Sequence, residues 1–401
     1  MALESTLPNI TSPPVTVYTH FPQERVHFGE AFDEALAGEA ERRGAERVFV
    51  LGSASLAAAS DFMQRLRTRL GSRFAGTLSG MPSHTPREAV LAMTRAARAA
   101  RADLIVTFGG GSLTDGGKMV RLCLEHGVDD VDGFDALRSV THADGSTTQP
   151  RLRAPAIDQI TIPTTLSGGE FNITAGCTDT RVPVKHAFRH ARLIPACVIL
   201  DPQVTLHTPP WLWLSTGMRA VDHCVETLCS LQANSQSDGA ALNGLRLLAA
   251  ALPACKADPG DPDARLECQI GAWQSMEHNQ SGVPMGASHG IGHVLGGTCN
   301  VPHGHTSCIM LPAALRWNAP VNAHLQARVS AAMGRPGIDA AAAIEDLVRV
   351  LEQPSRLSQV GVTRARFDEI AAHAMHDRYI HTNPRPITQP AQVREILELV
   401  A

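Results

Sequence analysis

The sequence has no block of like charge, no CxxC pair, and no apolar run long and uncharged enough to span a bilayer. Lys, Arg, Asp and Glu are scattered and sum to a formal charge of −4, which offers no electrostatic footprint to nucleic acid or an anionic membrane. The expected partner is a small molecule. The 9 cysteines follow no regular spacing, as reduced thiols in an intracellular chain do, and suggest neither a disulfide framework nor a thiolate zinc site. The opening MALESTLPNITSPP lacks a basic start followed by an apolar core, so a soluble cytoplasmic protein is expected. There is no internal repeat, no GxGxxG and no Walker sequence.

What remains is an ordinary globular composition. The 401 residues are 44% apolar and 18% charged, enough for a sizeable core and about two domains. Residues 1–14, rich in Ser, Pro and Thr, form an expected flexible tail. After it, β-like and helical stretches alternate: VTVYTH, a helix from about Glu30, ERVFVLGS, ASDFMQRLRTRL, and a β-like run near Phe74. Then come the helix PREAVLAMTRAARAARA, the buried strand DLIVTFGG, QITIPTT and CVILDP. Such βα alternation predicts a parallel sheet flanked by helices, over 15–203. From 204 to 401 the spacing of apolar residues is helical throughout, which predicts an α/β domain followed by an all-helical one. The irregular span 128–158 is expected to be a long connection or surface hairpin.

Four stretches could carry chemistry. FGGGSLTDGGK follows a buried strand and opens a helix, so Gly109, Gly110 and Gly111 could let a diphosphate approach the free amides there. A tight turn would need the same glycines. IPTTLSGGEFN brings Thr164, Thr165 and Ser167 to a second strand end, where open α/β sheets bind nucleotides, although a Ser/Thr-rich loop can also simply cap itself. STGMRAVDHCVET places Arg219 and His223 four apart on one helical face, with Asp222 and Glu226 beside them. A solvated ion pair would have that pattern too, but Leu214, Met218, Val221 and Val225 suggest a buried helix. In GASHGIGHVLGGTCNVPHGHTSCIMLP, His289 and His293 share a helical face and His303 follows a Gly-rich break, so three imidazoles can converge on one cleft. One such histidine would be an ordinary core residue; several at this spacing suggest an active site.

Together GGGSLTDGGK, PTTLSGGE, Lys185 in VKHAFRHARLIPACVILDP, TGMRAVDHCVE, SHGIGHVLGGTCNVPHG and NPRPIT resemble the iron-containing alcohol dehydrogenase superfamily, in that family's order. The resemblance implies a dehydroquinate synthase-like architecture, with hydride transfer in the cleft between a dinucleotide-binding domain and a helical catalytic domain. It implies that Gly109, Gly110, Gly111 and Ser112 bind the cofactor diphosphate and that Thr164, Thr165 and Lys185 line its ribose and nicotinamide. Metal-dependent members hold their ion with one Asp and three His. The His positions match His223, His289 and His303, with His293 nearby, but the Asp position is Arg219. A guanidinium there would repel a divalent cation on the order of several kcal/mol, and could instead hold a carboxylate or polarise a carbonyl.

The branch this is similar to is the maleylacetate reductases, which reduce maleylacetate to 3-oxoadipate in aromatic catabolism without a metal. HCVE after Ala220 and the compact PTTLSGGE loop match that branch, whereas the long connection over 128–158 resembles the alcohol dehydrogenases. The expected activity is therefore metal-independent NAD(P)H-dependent reduction of a small carboxylated enone, with Arg219, His223, His289, His293 and His303 as catalytic residues. The alternative is a metal-dependent alcohol or hydroxy-acid dehydrogenase holding zinc or iron. Gly52 and Ser53 end the strand where an acid would repel a 2′-phosphate, so NADH and NADPH are both expected as cofactors. The resemblance also implies a homodimer.

Overall fold

A computed structural model describes residues 17–141, 146–182 and 184–401. The tail over 1–14 lies outside the described residues. In the first half the strands are β1 (Arg25–Phe28), β2 (Val48–Gly52), β3 (Phe74–Ser79), β4 (Leu104–Gly109), β5 (Val140–Thr141), β6 (Thr147–Thr148), β7 (Asp158–Pro163), β8 (Thr174–Asp179), β9 (Val184–Arg189) and β10 (Cys197–Leu200). Between them run α1 (Phe32–Arg42), α2 (Ala54–Ala59), α3 (Phe62–Leu70), α4 (Arg87–Ala99) and α5 (Gly111–His126). Six strands form one sheet in the order β1-β10-β7-β4-β2-β3, every pair parallel.

Alternation along the strands decides which helices they meet. Val48 and Val50 join Phe32, Leu36, Phe62 and Leu66 on one face, while Phe49, Leu51 and Ile105 join Met119 and Val120 on the other. With both faces covered, the central strands β2 and β4 are wholly buried, as their unbroken apolar runs require. Gly52 pairs with Phe108 and Gly109 with Pro163, so the carboxyl ends of β2, β4 and β7 lie side by side. Between β2 and β4 the strand order reverses, which opens the crevice where such sheets take ligands.

The expected opening strand at VTVYTH is a correction. Its first two residues lie outside the described residues, and 17–20 form no strand. The backbone here is tied to the second half instead: Thr19 donates to the Gln280 carbonyl and Phe21 to the Gln280 side chain. The first strand is RVHF, an edge strand paired only with β10, where polar Arg25 and His27 are tolerated. A second unforeseen element is the antiparallel hairpin β8–β9, whose Ala175, Cys177 and Phe188 pack inward on the sheet's helices. The irregular span 128–158 does contain a small hairpin, β5 on β6.

Everything after Leu200 that has regular structure is helical. The helices are α6 (Pro202–Thr205), α7 (Pro210–Cys229), α8 (Ser235–Ala257), α9 (Pro262–Ser275), α10 (Ala287–Cys299), α11 (His303–Ala332), α12 (Ala340–Val350), α13 (Phe367–Ala374) and α14 (Pro390–Glu398). α7 is the central one: 15 of its residues are buried, and α8, α9, α11 and α12 share a core with it. α10, α13 and α14 form a second core on another face of α11, through Ile309, Met310, Ala313 and Trp317. Among the described residues no helix is long and apolar enough to cross a membrane.

Candidate active site

The glycine-rich turn sits at the crevice. Gly109 has φ +155°, and a Cβ there would fall 2.4 Å from Leu113; at Gly111 it would fall 2.8 Å from the Ser167 hydroxyl. These glycines let the PTTLSGGE loop close against the start of α5. The Leu113 and Thr114 amides turn back to the Gly110 carbonyl, and no side chain of the N-cap Gly110 covers the end of the helix, where the amides of Gly111 and Ser112 could take a diphosphate. The Ser112 hydroxyl accepts from the His84 amide, and Thr164 donates its amide to the Gly109 carbonyl. Thr165 and Ser167 hydroxyls lie 3.3 Å apart. Buried Lys118 then binds three carbonyls, Gly169 at 2.6 Å, Asn172 at 2.8 Å and Thr174 at 2.9 Å, tying the loop to α5. The residues present suit a dinucleotide.

α7 forms the opposite wall. Arg219, Asp222, His223 and Glu226 fall on one face at helical spacing. Glu226 accepts the amides of Gly286 and Ser288, both at 2.9 Å, and thereby caps α10, where a negative charge suits the helix dipole. The remaining amide, of Ala287, goes to Asn383 of the NPRPIT segment. His289 Nδ1 lies 2.8 Å from Glu226 and 3.4 Å from Asp222. Asp222 also accepts the hydroxyls of Ser288 at 2.9 Å and Ser307 at 2.7 Å. Arg219 donates to Ser307 at 3.3 Å and stands 3.9 Å from Asp222. Two buried carboxylates are thus met by one guanidinium and one imidazole.

Six imidazoles continue across the cleft in single file. Ring centroids are 5.5 Å apart for His278 and His223, 4.8 Å for His223 and His289, and 6.4 Å for His289 and His293. His293 and His303 follow at 6.2 Å, then His303 and His84 at 6.0 Å. Their environments differ. Burial, reinforced by neighbouring positive groups, holds His223 and His303 well below the ordinary imidazole range and His278 at about 3. Burial and Arg219 push His289 the same way, but Asp222 and Glu226 outweigh them and raise it. The charged form is therefore favoured at His289 and disfavoured at His223, His278 and His303. Among the described residues the Nε2 of His289 has no hydrogen-bond partner, nor has Nδ1 of His303.

Ring contacts run from His223 through His289 and His293 to His303, with Arg219 acting on them, but a three-histidine cage is not formed among the described residues. Among the described residues, groups of three donors with ligand atoms within 4.8 Å of one another are His27, Glu39 and Cys197, and Asp222, Glu226 and His289. The set His223, His289 and His303 is not gathered among the described residues, and the positive charge of Arg219 acts on all three rings against a further one. Asp222 and Glu226 already accept amides and hydroxyls. This donor set does not suit a divalent cation.

Several members of the site were not read from the sequence. His293 Nδ1 lies 2.8 Å from Asp377, and the Tyr379 ring is 5.7 Å from His293 and 6.2 Å from His289. His84, His278, Ser307 and Asn383 complete the walls. Asp377 and Tyr379 come from an irregular segment with no periodicity to read; the only signal was that Tyr379 is one of 2 tyrosines in the chain.

Comparison with known proteins identifies the family. The iron-containing alcohol dehydrogenase model matches residues 22–202, and the carboxy-terminal model of the Fe-containing alcohol dehydrogenase family matches residues 213–400. Dehydrogenase FUM7 of Gibberella moniliformis is 34% identical over 94% of this chain and 96% of its own. Maleylacetate reductase 2 of Cupriavidus pinatubonensis is 32% identical over 91% of each. The crystal structure of a putative alcohol dehydrogenase from Ralstonia eutropha superposes with a TM-score of 0.82 at 32% identity, covering 96% of this chain and 98% of that one. The chain belongs to the iron-containing alcohol dehydrogenase family and is an oxidoreductase.

Proposed function

We propose that the protein reduces the carbon–carbon double bond of a small carboxylated enone, maleylacetate to 3-oxoadipate before others, with NADH or NADPH and without a metal ion. The observation that carries this is Arg219, whose side chain is only 12% exposed and stands by Ser307 and Asp222 among the imidazoles, where a metal-dependent relative would need a carboxylate. In this reading residues 15–203 hold the dinucleotide through Gly109, Gly110, Gly111, Ser112, Thr164, Thr165 and Lys185, and residues 204–401 supply the catalytic groups. When bound, the cofactor supplies the hydride for the alkene carbon β to the carbonyl.

Arg219 donates to the carbonyl oxygen and meets the negative charge that develops there as the enolate forms, a charge-assisted bond in a site away from bulk water. His289, kept charged by Asp222 and Glu226, gives a proton from Nε2 to the carbon α to the carbonyl. His293, oriented by Asp377, relays the replacement proton from outside. His223 and His303 stay neutral and add no further positive charge beside Arg219. Arg219→Ala is expected to lower kcat/KM for maleylacetate about 10²- to 10³-fold with an unchanged circular dichroism spectrum. Near-normal turnover in the folded variant removes the role.

A metal-dependent alcohol or hydroxy-acid dehydrogenase is the second reading. It is favoured by the unpartnered ring nitrogens of His289 and His303, which a displaced Arg219 would leave open to an ion. One metal ion per chain, with activity lost on chelation, would select it.

A further inference from the structure

Arg219 and Asp222 lie one turn apart on α7, yet they do not pair directly. Nη1 of Arg219 stands 3.9 Å from Oδ2 of Asp222, too far for a hydrogen bond. The Ser307 hydroxyl, from α11, fills the gap: it accepts from that Nη1 at 3.3 Å and donates to that Oδ2 at 2.7 Å. Asp222 and Ser307 are fully buried. A poorly screened guanidinium and carboxylate this close attract strongly, and their favoured arrangement is direct contact at about 2.7–2.9 Å. A hydroxyl between them works against that collapse.

The surroundings show what the spacing preserves. Oδ2 of Asp222 already takes a second hydroxyl, from Ser288 at 2.9 Å. On the other side of the guanidinium, Gly292 of α10 leaves room for Nη1, since a Cβ there would fall 3.9 Å from it. Among the described residues the bond to Ser307 is the one hydrogen bond of the Arg219 side chain. Its Nε and Nη2 donate to no protein atom there, which leaves them for substrate. Nε2 of His289, on the ring beside Asp222, is likewise without a hydrogen bond. A guanidinium in contact with Asp222 would spend its charge on that carboxylate and turn away from a ligand.

We propose that Ser307 is a positioning residue, whose hydroxyl holds Arg219 off Asp222 so that the guanidinium keeps its charge and its free donors for the substrate oxygen. This rests on the proposed function, in which Arg219 meets the enolate charge. Ser307 touches no reacting atom; its effect passes through Arg219. A hydroxyl that only satisfied a buried carboxylate would matter to stability and not to turnover.

Two measurements on the whole protein test this. The crystal structure of Ser307→Ala, which needs no substrate, should show Nη1 of Arg219 in direct contact with Asp222. With NADH and maleylacetate, Ser307→Ala should lower kcat about 10- to 100-fold, the loss expected when a charged donor is displaced by about 1 Å. KM should stay within about twofold of wild type, because the interaction lost belongs to the transition state. Ser307→Thr retains the hydroxyl and should recover most of the kcat. Ser307→Cys, close to serine in size but a weak donor, should behave as the alanine variant does and stands in for it if that variant does not fold. The proposal is overturned if Arg219 keeps its place in the variant crystal structure, if kcat stays at the wild-type value, or if Ser307→Thr is slowed as much as Ser307→Ala. A guanidinium that closes on Asp222 in a protein reducing no enone leaves Ser307 in its role and removes the reductase reading. Maleylacetate turnover that neither Ser307→Ala nor Ser307→Cys slows does the reverse.

Discussion

Arg219 carries its charge into a nearly closed site because two carboxylates one turn apart, Asp222 and Glu226, share it with His289. Removing either acid would leave a buried positive charge without compensation, so the four residues act as one unit. A different buried acid offers a cleaner test of the electrostatics. Glu170, in the loop beside α5, has one carboxyl oxygen without a partner, and burial pushes its pKa from 4.5 to about 7 against the pull of Lys118. Because the folded pKa lies above the unfolded one, stability is fully present below pH 4.5 and is lost as pH rises through about 7. At 1.36 kcal/mol per pKa unit the loss reaches about 3 kcal/mol. Glu170→Gln should match wild type in urea unfolding near pH 4.5 and exceed it by up to about 3 kcal/mol at pH 8. Parallel pH profiles for the two proteins would contradict this.

At the scale of elements, the site depends on how closely α7 approaches α11. Gly304, at the start of α11, lies against the backbone of α7: a Cβ there would fall 2.5 Å from the Ser215 carbonyl carbon and oxygen. Backbone cannot step aside as a side-chain tip can. Gly304→Ala should therefore part the two helices, cost about 1–3 kcal/mol, and lower kcat/KM by displacing His303 and Ser307 relative to Arg219. Equal melting temperature and activity would show that the contact relaxes freely. The sequence made these helices legible because apolar spacing and the caps that bound them are local signals. The same holds for α5 after β4, where three glycines follow a buried apolar strand. β1 and the β8–β9 hairpin were not legible. RVHF is a polar edge strand, and TAGCTD with VKHAFR interleaves Gly, Thr, Lys and Arg with its apolar residues, so neither shows an apolar run.

At the scale of the whole molecule, the parallel sheet presents the carboxyl ends of β2, β4 and β7 toward one side, and the helical half sets α7, α10 and α11 opposite them. The residues that meet in this cleft come from stretches as far apart as His84 and Tyr379. Arg219, His223, His289, His293 and His303 were recognisable because helical spacing and family resemblance mark them. Asp377, Tyr379, His84 and His278 were not, since only the folded chain brings their irregular segments together. The same assembly places Arg219 among the imidazoles without gathering His223, His289 and His303 into a cage, and metal independence is where the proposed function departs most from the family's name. Steady-state oxidation of NADH and NADPH with maleylacetate, on protein stripped by a strong chelator, addresses it directly. Turnover undiminished by stripping is expected. Turnover lost on stripping and restored by Zn²⁺ or Fe²⁺ would contradict it and return the three histidines to a metal.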